Sequence, residues 1–123
     1  MNHILEALRE GMKNKLIIGK GQTDVVPAGS EQVWFVPLET NKLLVKSIEV
    51  VANKQATFYV EFFENSKLED SRYNSGEVAG RCYDNLDLPF VNGDDTKQMY
   101  VVIHNTSTFD TSYRIEVRGT EMK

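Results

Sequence analysis

From Lys15 onward the apolar residues recur at nearly every second position, and this period constrains the fold more than any other feature. Period 2 sends successive side chains to opposite sides of an extended backbone, so each such segment is a strand with one or both faces to cover. Ser112 to Arg118 sets Tyr113, Ile115 and Val117 against Arg114, Glu116 and Arg118, a clean half-buried pattern. Met99 to His104 sets Met99, Val101 and Ile103 against Tyr100, Val102 and His104. Thr57 to Phe63 sets Phe58, Val60 and Phe62 against Tyr59, Glu61 and Phe63. Both of its faces are mostly apolar, which predicts a strand covered on each side.

Three further segments carry strand signals. Leu43 to Val51 is rich in β-branched residues, with Val45, Ser47, Glu49 and Val51 expected on one face and Leu44, Lys46, Ile48 and Val50 on the other. Leu16-Ile17-Ile18 is a short apolar run that Gly19 and Gly21 are expected to close. Val33 to Val36 follows a turn at Pro27-Ala28-Gly29-Ser30 and stops at Pro37. Ala52 to Ala56 and Asn105 to Thr111 have the length and composition of hairpin connections. Glu64 to Gly80 is a long polar stretch with an apolar anchor at Leu68 and an aromatic at Tyr73.

Six to eight short strands, with no alternation of strand and helix, exclude a parallel sheet and predict an all-β chain. The expected fold is an antiparallel β-sandwich, jelly-roll-like, with a second sheet covering the apolar face of the first. Only the start of the chain departs from period 2. Ile4, Leu5, Leu8 and Met12 recur at helical spacing, with Glu6, Arg9, Glu10 and Lys13 on the other side and Asn2 as N-cap. A helix of about nine residues is too short to persist alone in water, so its apolar stripe must dock. The chain then divides into an N-terminal helical arm at 1–14 and a single β-sandwich domain at 15–123. A sandwich needs about 105 residues, which leaves the arm as surplus. The stripe has two possible seats, its own domain or a neighbouring subunit, and Ile4, Leu5, Leu8 and Met12 are the expected oligomer or assembly interface in the second case.

Charge and cysteine content narrow the function classes. With 14 basic against 18 acidic residues the chain lacks the basic footprint that general nucleic-acid binding requires. One cysteine forms no intrachain disulfide, and one cysteine with two histidines cannot make a structural zinc site. No apolar run is long enough to span a membrane, and Glu6, Arg9 and Glu10 break any signal-peptide core. No phosphate loop, nucleophile elbow or metal-histidine pair is present. His104 and Cys82 are read as structural, so no catalytic residue, cofactor or enzymatic activity is expected. The acidic stretch Asp84 to Asp95 offers Asp84, Asp87, Asp94 and Asp95 as calcium candidates. Its spacing is not that of an EF-hand, and a solvated loop turning at Asn92-Gly93-Asp94 is the plainer expectation. Tyr59, Phe63 and Tyr100 could line one sheet face and stack on sugar rings, although core packing claims most large rings.

The segments Leu44 to Phe63, Tyr83-Asp84-Asn85-Leu86-Asp87-Leu88-Pro89-Phe90-Val91-Asn92, Tyr100 to Asn105 and Tyr113 to Gly119 together resemble small jelly-roll domains of tailed-bacteriophage virion proteins. Those domains similarly place an aspartate–proline–aromatic segment before an acidic turn, then a strand ending near Ile-x-Asn and a final alternating strand. The resemblance implies a non-enzymatic capsid, neck or tail accessory protein, located in the virion or in host cytoplasm before assembly. Its implied partners are copies of itself and a larger protein assembly, with no direct nucleic-acid or membrane contact. The alternative is a carbohydrate-binding β-sandwich module using the acidic segment for calcium.

Overall fold

A computed structural model describes residues 16–64, 67–68, 71–91 and 97–122. Nine strands lie among them: β1 (Leu16–Gln22), β2 (Glu31–Pro37), β3 (Lys42–Ala52), β4 (Thr57–Phe63), β5 (Tyr73–Asn74), β6 (Val78–Ala79), β7 (Arg81–Val91), β8 (Gln98–Asn105) and β9 (Tyr113–Glu121). They form two antiparallel sheets, one ordered β1-β9-β3-β7 and the other β2-β8-β4-β5 with β6 also on β4.

The order follows from folding the strand-bearing chain once at its middle. β1 then meets β9, β2 meets β8, β3 meets β7, and β4 meets β5 and β6. Rolling that long hairpin sideways adds β9 beside β3 and β8 beside β4. The result is the jelly roll expected from the periodicity, with the core between its sheets. Val45, Ile48, Val50, Phe90, Ile115 and Val117 enter this core from one sheet, and Val36, Phe58, Val60, Phe62, Val101 and Ile103 from the other.

Several local expectations give way to this topology. The connections after Ala52 and after Asn105 are not hairpins, because β3 and β9 belong to one sheet and β4 and β8 to the other. Alternation fixes that a segment is a strand but not which strand it pairs with. In β3 the alternation breaks: Leu43 and Val45 face the core, then Ile48, Val50 and Ala52 do. A register shift between Val45 and Ser47 puts Lys46 outside, and this β-bulge keeps apolar residues inward on both sides of it. Gly119 is opposite Val45 at the bulge, where an added Cβ would stand 2.2 Å from the Leu44 carbonyl oxygen.

Gly19 and Gly21 do not end β1 but lie inside it. A Cβ at Gly21 would be 2.1 Å from Trp34 Nε1, and one at Gly19 would be 2.8 Å from side-chain atoms of Val36 and Leu38. The missing side chains let β1 close against β2 where the two sheets meet. Asp84 to Val91 is not a loop either. It completes β7, because Leu86, Leu88 and Phe90 alternate inward against the core. Pro89 is tolerated there because β7 is an edge strand.

Candidate functional site

The outer face of the β1-β9-β3-β7 sheet divides into an apolar end and a charged end. At one end the register aligns Leu16, Thr120, Leu44 and Pro89 in a row across all four strands. Ile18 and Val91 flank this row. Leu16 is 56% exposed, and Ile18 and Val91 are each 41% exposed. Single exposed apolar residues need no explanation, but Leu16, Ile18, Leu44, Pro89 and Val91 gather at one end of this face, interrupted by Thr120 on β9, and make it a candidate contact surface.

At the other end, Arg81 Nε donates to Glu49 Oε2 at 2.8 Å, and Arg118 pairs with Glu116 at 2.9 Å. The Arg81 guanidinium also lies 5.4 Å from the centre of the Tyr83 ring. A groove of 370 Å³ opens beside these pairs, lined by Lys20, Gln22, Glu49, Val51, Arg114 and Glu116. Exposed pairs of this kind add little stability, so their consequence is a patterned, charge-balanced surface beside the apolar row.

The outer face of the other sheet is built around β8. His104 Nδ1 lies 2.8 Å from Glu31 Oε2 on β2, and its Nε2 lies 2.8 Å from Glu61 Oε1 on β4. The Tyr59 ring stacks on the imidazole, 4.0 Å between centroids and 9° between planes. The histidine thus ties three strands together, and its two ring nitrogens point to carboxylates on opposite sides.

Between the sheets, at the β5–β7 side, the Tyr73 hydroxyl donates to Asp84 Oδ2 and lies 3.6 Å from Cys82 Sγ. Burial, then the hydrogen bond to Asp84, pushes the Tyr73 phenol far above its ordinary range. Burial also pushes the Cys82 thiol up, which disfavours the thiolate that a nucleophile needs.

The residues singled out from the sequence fall as follows. Tyr59, Phe63 and Tyr100 do share one outer face, with Phe63 directly opposite Tyr100. Phe63 and Tyr100 are buried in a packed cluster with Val102 instead of forming an open shelf of rings. Asp84 faces inward to Tyr73, whereas Asp87 faces outward and pairs with Lys46 at 2.6 Å. They sit on opposite sides of β7 and do not converge. Asp94 and Asp95, like Ile4, Leu5, Leu8 and Met12, lie outside the described residues. Among the described residues no group of three or more His, Cys, Asp or Glu could hold a metal ion. Cys82 and His104 belong to different sheets and form no nucleophile–base pair. No described helix is long and apolar enough to cross a membrane. The apolar row was missed because it joins residues far apart in sequence. Its one local signal is that Leu16-Ile17-Ile18 is apolar on both faces of its strand.

These features define the class of the molecule: an all-β, two-sheet jelly-roll sandwich with exposed apolar residues at one end of one outer face. No family model and no curated protein matches the sequence. Among solved structures, the chain is similar to the pre-peptidase C-terminal domain of collagenase from Bacillus anthracis. That match has a TM-score of 0.53 and 14% identity, covering 85% of this chain and 88% of that one. It is also similar to a chain of the cyanophage Pam1 capsid (TM-score 0.49, 13% identity, covering 88% and 84%). A chain of the Bacillus endospore appendages, disulfide-linked pili, gives a TM-score of 0.48 at 10% identity, covering 89% and 91%. At such identities the likeness extends to the β-sandwich fold alone.

Proposed function

We propose that the chain is a structural subunit that acts by assembly, as an accessory component of a phage virion (capsid, neck or tail). The observation that carries this reading is the row Leu16–Thr120–Leu44–Pro89, with Leu16 exposed and Leu44 half-buried, flanked by the exposed Ile18 and Val91. A second copy seated there removes apolar surface from water, worth about 25 cal/mol per Å². The adjoining Arg81–Glu49 and Arg118–Glu116 pairs supply a polar rim that fixes orientation. The virion setting rests on the sequence resemblance to tailed-phage jelly-roll domains.

The test is solution mass. Sedimentation equilibrium of the whole chain should give a multiple of 14.0 kDa. Replacing Leu16 and Ile18 by aspartate should return the mass to one chain without loss of β-sheet circular dichroism, since both side chains point to solvent in the single subunit. A wild-type chain that stays at 14.0 kDa at high micromolar concentration contradicts the reading.

A further inference from the structure

The charged end of the β1-β9-β3-β7 outer face holds more cations than its ion pairs use. Strand pairing lines up Lys20, Glu116 and Glu49 in one row, and Gln22, Arg114, Val51 and Arg81 in the next. Arg81 is engaged with Glu49, and Arg118 with Glu116. Lys20 stands opposite Glu116, whose charge Arg118 already offsets, and Arg114 has only Gln22 and Val51 across from it. Among the described residues neither Lys20 nor Arg114 pairs with a carboxylate. Lys20 and Arg114 are thus a positive surplus at one place on a chain whose net charge is −4. An anion is drawn to this end of the face.

The two carboxylates keep acceptor capacity. Two nitrogens of Arg81 converge on Glu49 Oε2, and two of Arg118 converge on Glu116 Oε1. The other oxygen of each, Glu49 Oε1 and Glu116 Oε2, takes no hydrogen bond from a described residue. The surface therefore sets cationic donors beside unfilled anionic acceptors. Its relief is elongated. The 370 Å³ groove shares Gln22, Val51 and Arg114 with a depression of 280 Å³ that reaches Asn53 and Ser112. It shares Glu49 and Glu116 with one of 220 Å³ that reaches Ser47 and the half-exposed Tyr83. Together they form one trough along β9 from Ser112 to Arg118, a length of about 20 Å.

This lining selects among anions. Inorganic phosphate would engage the two cations but bring its charge against the unfilled carboxylate oxygens and leave most of the trough empty. The side chains of an acidic peptide bring carboxylates and no hydroxyl donors. A uronic-acid sugar carries both groups: a carboxylate for the Arg114 fork and the Lys20 ammonium, and hydroxyls to donate to Glu49 Oε1 and Glu116 Oε2. We propose that the trough over β1, β9 and β3 binds an acidic oligosaccharide, a short run of uronate sugars, with Lys20 and Arg114 holding its carboxylates and Glu49 and Glu116 accepting from its hydroxyls. The Leu16 row lies outside the trough, so this site stands whether or not copies of the chain assemble.

The test is titration of the ¹⁵N-labelled full-length chain with trimers of galacturonate, mannuronate and guluronate, followed by amide shifts. At least one trimer should give saturable shifts centred on residues 20–22, 49–51 and 114–116. Its neutral methyl ester should bind about tenfold more weakly, as should the wild-type trimer to a Lys20→Ala, Arg114→Ala variant, because two exposed ion pairs are lost in each case. Both side chains are exposed, so the variant should keep its β-sheet circular dichroism. No saturable shift with any trimer overturns the inference. So does unchanged affinity in the folded variant, or equal affinity for triglutamate or inorganic phosphate, which would show a surface that reads charge alone. Should the variant not fold, the comparison of trimer with methyl ester on the wild-type chain decides. The variant leaves Leu16, Ile18 and both arginine–glutamate pairs in place, so its mass in solution reports on assembly separately.

Discussion

Gly119→Ala is the sharpest test of how β3 and β9 pair at the bulge. Gly119 sits in β9 opposite Val45, where the bulge at Lys46 turns the β3 backbone toward it. The new Cβ would lie 2.2 Å from the Leu44 carbonyl oxygen and 3.0 Å from Leu43 Cδ1. A carbon and a carbonyl oxygen approach to about 3.3 Å at closest, so roughly 1 Å of separation must be found. The obstacle is main chain in a strand bonded on both sides, to β7 and to β9, so it cannot swing away as a side chain could. Overpacking of this kind costs about 3 kcal/mol. For a chain of this size that is a fall of about 12 °C in Tm. Gly29→Ala supplies the contrast: its φ of +72° is strained for alanine, but nothing lies within 4 Å of the added carbon. Its cost is about 1 kcal/mol, or about 4 °C. Scanning calorimetry of both variants at neutral pH measures the difference. A Gly119→Ala protein that melts no lower than Gly29→Ala would refute the reasoning about the bulge.

Three other outcomes follow from buried groups. Tyr113 has a buried hydroxyl with no hydrogen-bond partner, and burial pushes its phenol up to about 12 from an ordinary value of 10.0. Both states are neutral below pH 10. Between pH 10 and 12 the unfolded phenol ionises and the folded one does not, so stability falls with rising pH by about 3 kcal/mol in total. Tyr73 acts in the same direction. Tyr113→Phe should keep or raise stability at pH 7 by up to about 1 kcal/mol and flatten the alkaline loss in urea titrations; a steeper loss would contradict this. Asn105 is buried and donates to the Val26 and Phe109 carbonyls at 3.0 and 2.7 Å, while accepting from the Ser107 amide and hydroxyl. Asn105→Ala should therefore cost about 2–3 kcal/mol in chemical denaturation, and a change under 0.5 kcal/mol would show the bonds to be dispensable. Cys82 should resist a thiol-reactive disulfide reagent in the folded protein and react fully in denaturant; rapid labelling of the native chain would contradict its burial.

The strands were legible because period 2 is a local property. Tyr113, Ile115 and Val117 are inward as the alternation of their segment predicts, and Phe58, Val60 and Phe62 likewise. The two-sided pattern of Thr57 to Phe63 also had its counterpart, since Phe63 faces a second cluster outside the core. Pairing was not legible, because it depends on how the long hairpin rolls. Ala52 to Ala56 and Asn105 to Thr111 look like hairpin loops yet cross between sheets. The bulge at Lys46 shifts the alternation by one residue, and a strict period carried through it assigns the wrong face to the second half of β3. The acidic residues of β7 read as a loop because charge suggested solvent, while Leu86, Leu88 and Phe90 between them carried the strand signal. The apolar row is a property of register across four strands. Leu16, Leu44 and Pro89 are unremarkable until the pairing brings them together.

If the row Leu16–Thr120–Leu44–Pro89 is an interface between copies, sedimentation equilibrium across a dilution series will show it. The expected result is a mass that is a multiple of 14.0 kDa for the wild-type chain and a single-chain mass for the Leu16→Asp, Ile18→Asp variant with its sandwich intact. A wild-type mass of one chain at every concentration, or an oligomer indifferent to both substitutions, would contradict it.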